Sequence, residues 1–275
     1  MVCGEIVTYE FQRRGSVEVS GEVSVLGLVI SLLFVVLPVV LSFVHRLALA
    51  RSVLGAVIRA LVQLTAAGAL LVFVFESDTS LLWSWVWGGG MILFAAYTVY
   101  RRAPEVPGMF FIGLRAFTFA AIVTWGVLFG FAIVEISPMT IVPLTGMMIG
   151  NSLNALVLVA RAAAEGVREN RDEIEARLAL GLSSVDAARP VLRRALRTGL
   201  TPQIETLRAL GVVYLPGAMT GLILAGMSPF SAVRMQLVIM YMVLGATCTN
   251  VTVAGIGVIR KSFTTDHRLA PHIFR

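Results

Sequence analysis

Few residues of this chain have the type and spacing to do chemistry. From Gly255 to Ser262 the run Gly-Ile-Gly-Val-Ile-Arg-Lys-Ser places Lys-Ser at the spacing of a phosphate-binding loop. Arg260 stands where that loop needs its second glycine, and no strand precedes the run, so no phosphate cradle forms there. His45, His267, His272, Cys3, Cys248 and eleven methionines are the imidazole and sulfur groups on offer. No His/Cys/Asp/Glu set has the spacing of a structural metal site. Met147, Met148, Met219 and Met227 are ordinary filler for apolar helices, so no metal ligand is named. The two cysteines imply no disulfide framework. The expectation is a chain with no catalytic residue, no ATPase site and no cofactor of its own.

What remains is polar side chains inside apolar stretches. Each is costly at membrane depth unless it meets a partner or a wet cavity. Asn151 and Asn154 lie three apart, on one face of a helix, and read as interhelical hydrogen bonds or as groups facing a wet cavity. Glu205 and Arg208 repeat that spacing and read as lying near the cytoplasmic surface. Arg59 with Gln63, Arg115, Gln236 and Asn250 read as interhelical hydrogen bonds or as groups that snorkel to the interface. Gly126/Gly130, Gly146/Gly150 and Gly217/Gly221 each have GxxxG spacing, which lets helix backbones approach. Pro216, just before Gly217, removes a helix hydrogen bond and predicts a kink in a moving helix.

The elements that must position these groups are membrane helices. A chain of 275 residues with 57% hydrophobic and 14% charged side chains, and a mean hydropathy of +0.87, is not an ordinary soluble domain. Its charge of +6 rests on arginines collected at helix ends, a pattern for a lipid bilayer and not for nucleic acid. Apolar segments fall at about 23–44, 53–75, 83–100, 110–134, 139–160, 204–225 and 233–259. The first is too long for a signal peptide's apolar region and reads as a retained helix. Trp83, Trp85 and Trp87 at one end of the third, with Tyr97 and Tyr100 at the other, resemble interfacial belts. The fold expected is all-α and polytopic, with about seven transmembrane helices. Residues 1–22 form a polar tail, 23–263 the membrane domain and 264–275 a short tail.

Arginines concentrate in the connections at 45–52, 100–109 and 161–203 and in the C-terminal tail, whereas 76–82, 135–138 and 226–232 hold none. The positive-inside rule then places the N-terminus outside the cell membrane and the C-terminus in the cytoplasm.

The insert at 161–203 is the one long polar interruption. Arg168 with Asp172, Arg171 with Glu175 and Glu173 with Arg177 have helical pairing distance. The helix is expected to stop near Gly181, and Ser183 or Ser184 to cap a second helix with Asp186 in its first turn. Leu178, Leu180, Leu182 and Val185 give the turn an apolar cap. This is a helical knob suited to docking in another protein.

The flanks of that knob carry a family likeness. They read PLTGMMIGNSLNALVLVAR from Pro143 to Arg161, GVVYLPGAMTGLILAG from Gly211 to Gly226, SPFSAVRMQ from Ser228 to Gln236, and Asp266-His-Arg-Leu in the tail. Together they resemble the Fet-type family of ABC transporter membrane subunits, whose bacterial members are linked to iron export and whose plant relatives to aluminium tolerance. The resemblance implies a permease subunit, exporting iron or another metal, driven by a separate cytoplasmic ABC ATPase that carries the ATP. By analogy with other coupling loops, Leu178, Leu180, Gly181, Leu182, Val185 and Arg189 form the tip that docks on the ATPase, and the resembled stretches imply a translocation pathway at Asn151, Asn154, Pro216, Gly217 and Met219. One chain offers one knob and two nucleotide sites close together, so a homodimer is implied.

Two other classes fit the topology. A secondary transporter would predict inverted repeats and intramembrane acids, and neither is clear. A seven-helix receptor fits by helix count alone. A retinal protein needs a buried lysine, whereas Lys261 sits beside Arg260 at the membrane boundary.

Overall fold

The computed structural model describes residues 25–76, 80–264, 266 and 268–270. The expectations for the tail at 1–22, for Cys3 and for His267 and His272 lie outside the described residues. Contacts divide the chain into two units, Met1–Phe73 and Val74–Arg275.

In the first unit, α1 (Val25–Ser31) and α2 (Leu33–Val44) together make a membrane-length span. The turn after it is held by Ser42, whose carbonyl accepts Leu47 N–H and whose Oγ accepts Leu49 N–H at 2.9 Å. Arg46 and Ala48 take positive φ in this turn. α3 (Ala50–Glu76) follows, with Arg59 and Gln63 both exposed along it.

The second unit contains α4 (Ser80–Arg102), α5 (Met109–Gly130), α6 (Pro138–Glu169), α7 (Arg171–Ala179), α8 (Ser184–Ala187), α9 (Arg189–Ala209), α10 (Gly217–Leu224) and α11 (Pro229–Lys261). The spine is α6 against α11, running parallel. Asn250 Nδ2 on α11 donates to Ser152 Oγ on α6 at 2.9 Å, with both side chains buried. α6 turns the stripe Ile141, Thr145, Met148, Ser152, Leu156, Val159, Ala163 and Val167 into the core, the three- and four-residue spacing of one helix face. α4 packs on α5 and α6, and α5 on α11. At these crossings Gly113 meets Ala96, and Gly257 meets Ile112. The tryptophans of α4 are partly structural: Trp85 stands edge-on to Trp125 at 4.8 Å between centroids. Arg115 is exposed near the start of α5.

The all-α polytopic reading holds. Among the described residues, six helices are long and apolar enough to cross a membrane. The remaining expected crossing, at 204–225, is discontinuous. α9 runs unbroken through Pro202 to Ala209, and the chain then leaves helical geometry until α10 starts at Gly217. Gly211 takes φ +77° in that break. Pro216 is therefore the extended residue before a helix, not a kink inside one, a correction to the expectation drawn from its sequence. Proline prefers that first-turn boundary because its missing N–H is no loss there.

Candidate functional site

The fifth expected segment continues well past Ala160. α6 has 32 residues, about 48 Å at 1.5 Å per residue, and carries its apolar stripe into the polar insert as far as Val167. α9 returns antiparallel along it. A β-carbon on Gly166 would sit 2.7 Å from Val191 Cγ1, and one on Gly199 would sit 2.1 Å from Val159 Cγ2. α11 closes the third side, with Gly255 against Leu192, Leu196 and Val159. Ala163, Val167, Ile174, Ala187, Val191 and Ala195 are all buried here. The knob is thus an extension of the core, not a solvated loop.

Its tip follows local turn chemistry. Gly181, at φ +89°, donates to Leu178 O, and Leu182 N–H donates to Arg177 O, the paired bonds of a Schellman stop. Ser183 Oγ then accepts Asp186 N–H at 3.2 Å, capping α8, and Asp186 binds Arg189 at 2.6 Å. Arg171–Glu175 and Arg177–Glu173 pair as the spacing predicts. The Glu175 hydrogen bond, the larger cause, and its charge push the Arg171 guanidinium above its ordinary value. Leu178 packs on the core and Val185 is half-buried. Leu180 is 80% exposed and Leu182 40%, beyond the last turn of α7.

The basic end of the bundle is tied together. Arg161 pairs with Glu105 at 2.9 Å and donates to Arg102 O. Arg102 Nη1 in turn donates to Asn154 Oδ1 at 2.8 Å. That bond leads into a groove of about 210 Å³ between α6 and α9, lined by Asn151, Asn154, Gly199, Pro202, Gln203 and Thr206. Asn151 Nδ2 donates to Met147 O at 2.7 Å, within its own helix. Its lining mixes the carboxamides of Asn151, Asn154 and Gln203 and the Thr206 hydroxyl with Ala155, Leu158 and Pro202, so it can hydrogen-bond a polar solute without a charged group in the lining. Among the described residues no group of three or more His, Cys, Asp or Glu could hold a metal ion.

The structure brings Asn151 and Asn154 together with Gln203 and Thr206, which sequence reasoning did not select. It keeps Pro216, Gly217 and Met219 apart from them, on or before α10. The α9 partners were hidden because only the antiparallel packing of Gly199 on Ala155 and Val159 sets the register. Glu205 and Arg208 pair at 2.7 Å, both exposed. They lie beyond Gln203 along α9, level with the middle of α6. Asn250 is the interhelical hydrogen-bonder expected, yet its Oδ1, Thr247 Oγ1 and Gln236 Oε1 are buried without a partner.

The GxxxG pairs behave otherwise than their spacing predicts. Gly126, Gly130, Gly150, Gly217 and Gly221 face open space, and Gly146 meets Met91 at an ordinary distance. The close contacts are made instead by Gly166, Gly199, Gly255 and Gly257.

Comparison with known proteins places this architecture. The chain is 35% identical over 216 residues to the UPF0014 membrane protein STAR2 of Oryza sativa subsp. japonica, covering 78% of this chain and 75% of that protein. It is 30% identical over 247 residues to the probable iron export permease protein FetB of Escherichia coli (strain K12), covering 88% and 93%. It is 29% identical over 247 residues to the protein ALUMINUM SENSITIVE 3 of Arabidopsis thaliana, covering 89% of each. No solved structure matches. The family described as an uncharacterised protein family (UPF0014) matches residues 25–263, and the chain, a multi-pass membrane protein, belongs to it.

Proposed function

We propose that this chain is the membrane subunit of an ABC transporter, moving its solute with energy from a separate cytoplasmic ATPase. The observation that carries the reading is the α6–α9 extension with Leu180 and Leu182 exposed at its tip. Two leucines held outside the bilayer by a rigid helical hairpin are a docking surface, since exposed apolar groups of this kind mark interaction sites. The ATPase supplies ATP; this chain binds none. Closure of two ATPase sites pushes two knobs, so the working unit is a homodimer.

The knob is locked to α6 and α11 by the contacts at Gly166, Gly199 and Gly255. A push at its tip therefore moves the core helices as a body. The break at 210–216 lets α9 shift relative to α10 without bending a continuous helix.

Export of iron or another metal is the solute reading, drawn from the name of the Escherichia coli relative. The groove offers neutral amide and hydroxyl oxygens, which suit a hydrated or already ligated cation better than a stripped one. The arginine-rich end faces the cytoplasm of the cell membrane, with the N-terminus outside, by the positive-inside rule.

Glu205, an acid at membrane depth, favours one alternative, a secondary transporter coupled to an ion gradient. Proteoliposomes separate the two. With the ATPase present, solute should accumulate only on ATP addition. Uptake driven by a proton or sodium gradient in the absence of any ATPase would overturn the proposal.

A further inference from the structure

α5 and α11 meet closely where Gly257 packs on Ile112. Further into the membrane they part, and an open groove of about 480 Å³ lies between them. Leu114, Thr118, Phe119, Ile122 and Val253 line it, and one charged side chain, Arg115, stands among them. Phe119 and Ile122 are exposed along its wall. A second recess between the same helices, of about 270 Å³ with Val127 and Tyr241 in its wall, carries the line on away from Arg115.

Arg115 sets the depth of the groove. From Arg115 to Gly130 the helix rises about 23 Å, and the next charge is Glu135 in the connection that follows. The charge-free stretch therefore fits the ~30 Å hydrocarbon core, with Arg115 at its edge. Arg260 lies on the same side of α11 as Val253, two helical turns further on, and is exposed. The Ile112–Gly257 contact puts it about 9 Å beyond Arg115, toward the arginine-rich end of the bundle. Among the described residues neither guanidinium has an ion pair or a hydrogen bond. An arginine stem can lie along apolar surface while its head turns to the interface, so both heads can reach one anion at the mouth of the groove.

We propose that the α5–α11 groove holds an anionic phospholipid, its phosphate clasped by Arg115 and Arg260 and one acyl chain laid along Thr118, Phe119, Ile122 and Val253. The two ends of the site together name the occupant. A neutral helix would fill the apolar part and leave both guanidiniums unpaired. A free phosphate would meet the arginines and leave the apolar wall bare. A lipid with a charged headgroup satisfies both, and arginine suits phosphate because its fork donates two parallel hydrogen bonds. Basic recesses between membrane helices at the cytoplasmic face take anionic lipids in this way. The site stands apart from the ATPase reading.

The test is native mass spectrometry of the full chain in neutral detergent, offered phosphatidylglycerol or phosphatidylcholine of the same chain length. Phosphatidylglycerol should stay on the native chain under activation that strips phosphatidylcholine. Arg115→Gln with Arg260→Gln should weaken its retention roughly tenfold, about the loss of one charge-assisted hydrogen bond. The melting temperature of that variant in phosphatidylcholine should match the native chain. Ile122→Trp, which narrows the groove with both charges in place, should also lower retention. Glycerol 3-phosphate, a headgroup without chains, should not raise the melting temperature of the native chain, whereas phosphatidylglycerol should. Equal retention of the two lipids, undiminished retention in either variant, or equal stabilisation by glycerol 3-phosphate would overturn the site. So would the absence of any retained lipid, the result expected if another helix fills the groove.

Discussion

Gly199 lies so close to Val159 that a β-carbon on it would come within 2.1 Å of Val159 Cγ2 and 3.1 Å of the Ala155 carbonyl oxygen. This contact fastens the returning helix α9 to α6 just where the bundle passes from membrane to knob. Gly199→Ala must push two helices apart. Overpacking of this kind costs about 1–3 kcal/mol, and thermal unfolding in detergent should record it. Gly126→Ala, where nothing lies within 4 Å, should be neutral or slightly stabilising, because alanine favours a helix over glycine by up to ~1 kcal/mol.

A second prediction concerns the bond between Asn250 and Ser152. Asn250 Oδ1 already lacks a partner. Ser152→Ala would leave the whole amide unpaired, at about 1–3 kcal/mol for a buried group. Ser152→Ala combined with Asn250→Leu removes both polar groups and should be the milder change. A double-mutant cycle on the melting temperature reads the coupling.

The tip of the knob gives a third. Ser183→Ala removes the cap of α8, worth about 1 kcal/mol in comparable helices. Gly181→Ala forces a β-carbon into left-handed geometry at about 1–2 kcal/mol. Both changes act on the turn alone. Hydrogen exchange at 178–188 should rise in each, while the melting temperature of the bundle changes little.

In the groove, Asn154→Leu removes the acceptor of Arg102 Nη1 and makes the lining apolar. Solute transport in proteoliposomes should fall several-fold, because the groove loses a polar group that could hydrogen-bond the solute. ATPase binding to the knob should be unchanged. An unaltered transport rate would remove the groove from the pathway.

How much of this was legible in the sequence depends on the range of the interaction. The stop at Gly181, the cap at Ser183 and the Arg171–Glu175 pair are local, set within four residues, and all appear as read. The length of α6 was not legible, because Ala162, Ala163 and Ala164 sit between charged neighbours and dilute the apolar signal while continuing the helix. Gly199 carries no mark of its own; its role appears only once Val159 faces it. The GxxxG pairs meet no close neighbour within the chain, since spacing along one helix does not name what lies opposite. Pro216 is compatible with a kink or a helix start, and the choice fell to Gly211 five residues earlier.

The most direct test of the central claim is co-purification of the tagged chain from mild detergent with its cytoplasmic partner, followed by an ATP hydrolysis assay. The comparison is the same chain carrying Leu180→Asp and Leu182→Asp, two exposed positions whose replacement leaves the core intact. The account predicts that an ATP-hydrolysing subunit accompanies the native chain and is lost from the variant, while both melt at the same temperature. An ATPase retained equally by both, or absent from both, would contradict the assignment of this tip as the docking surface of an ABC membrane subunit.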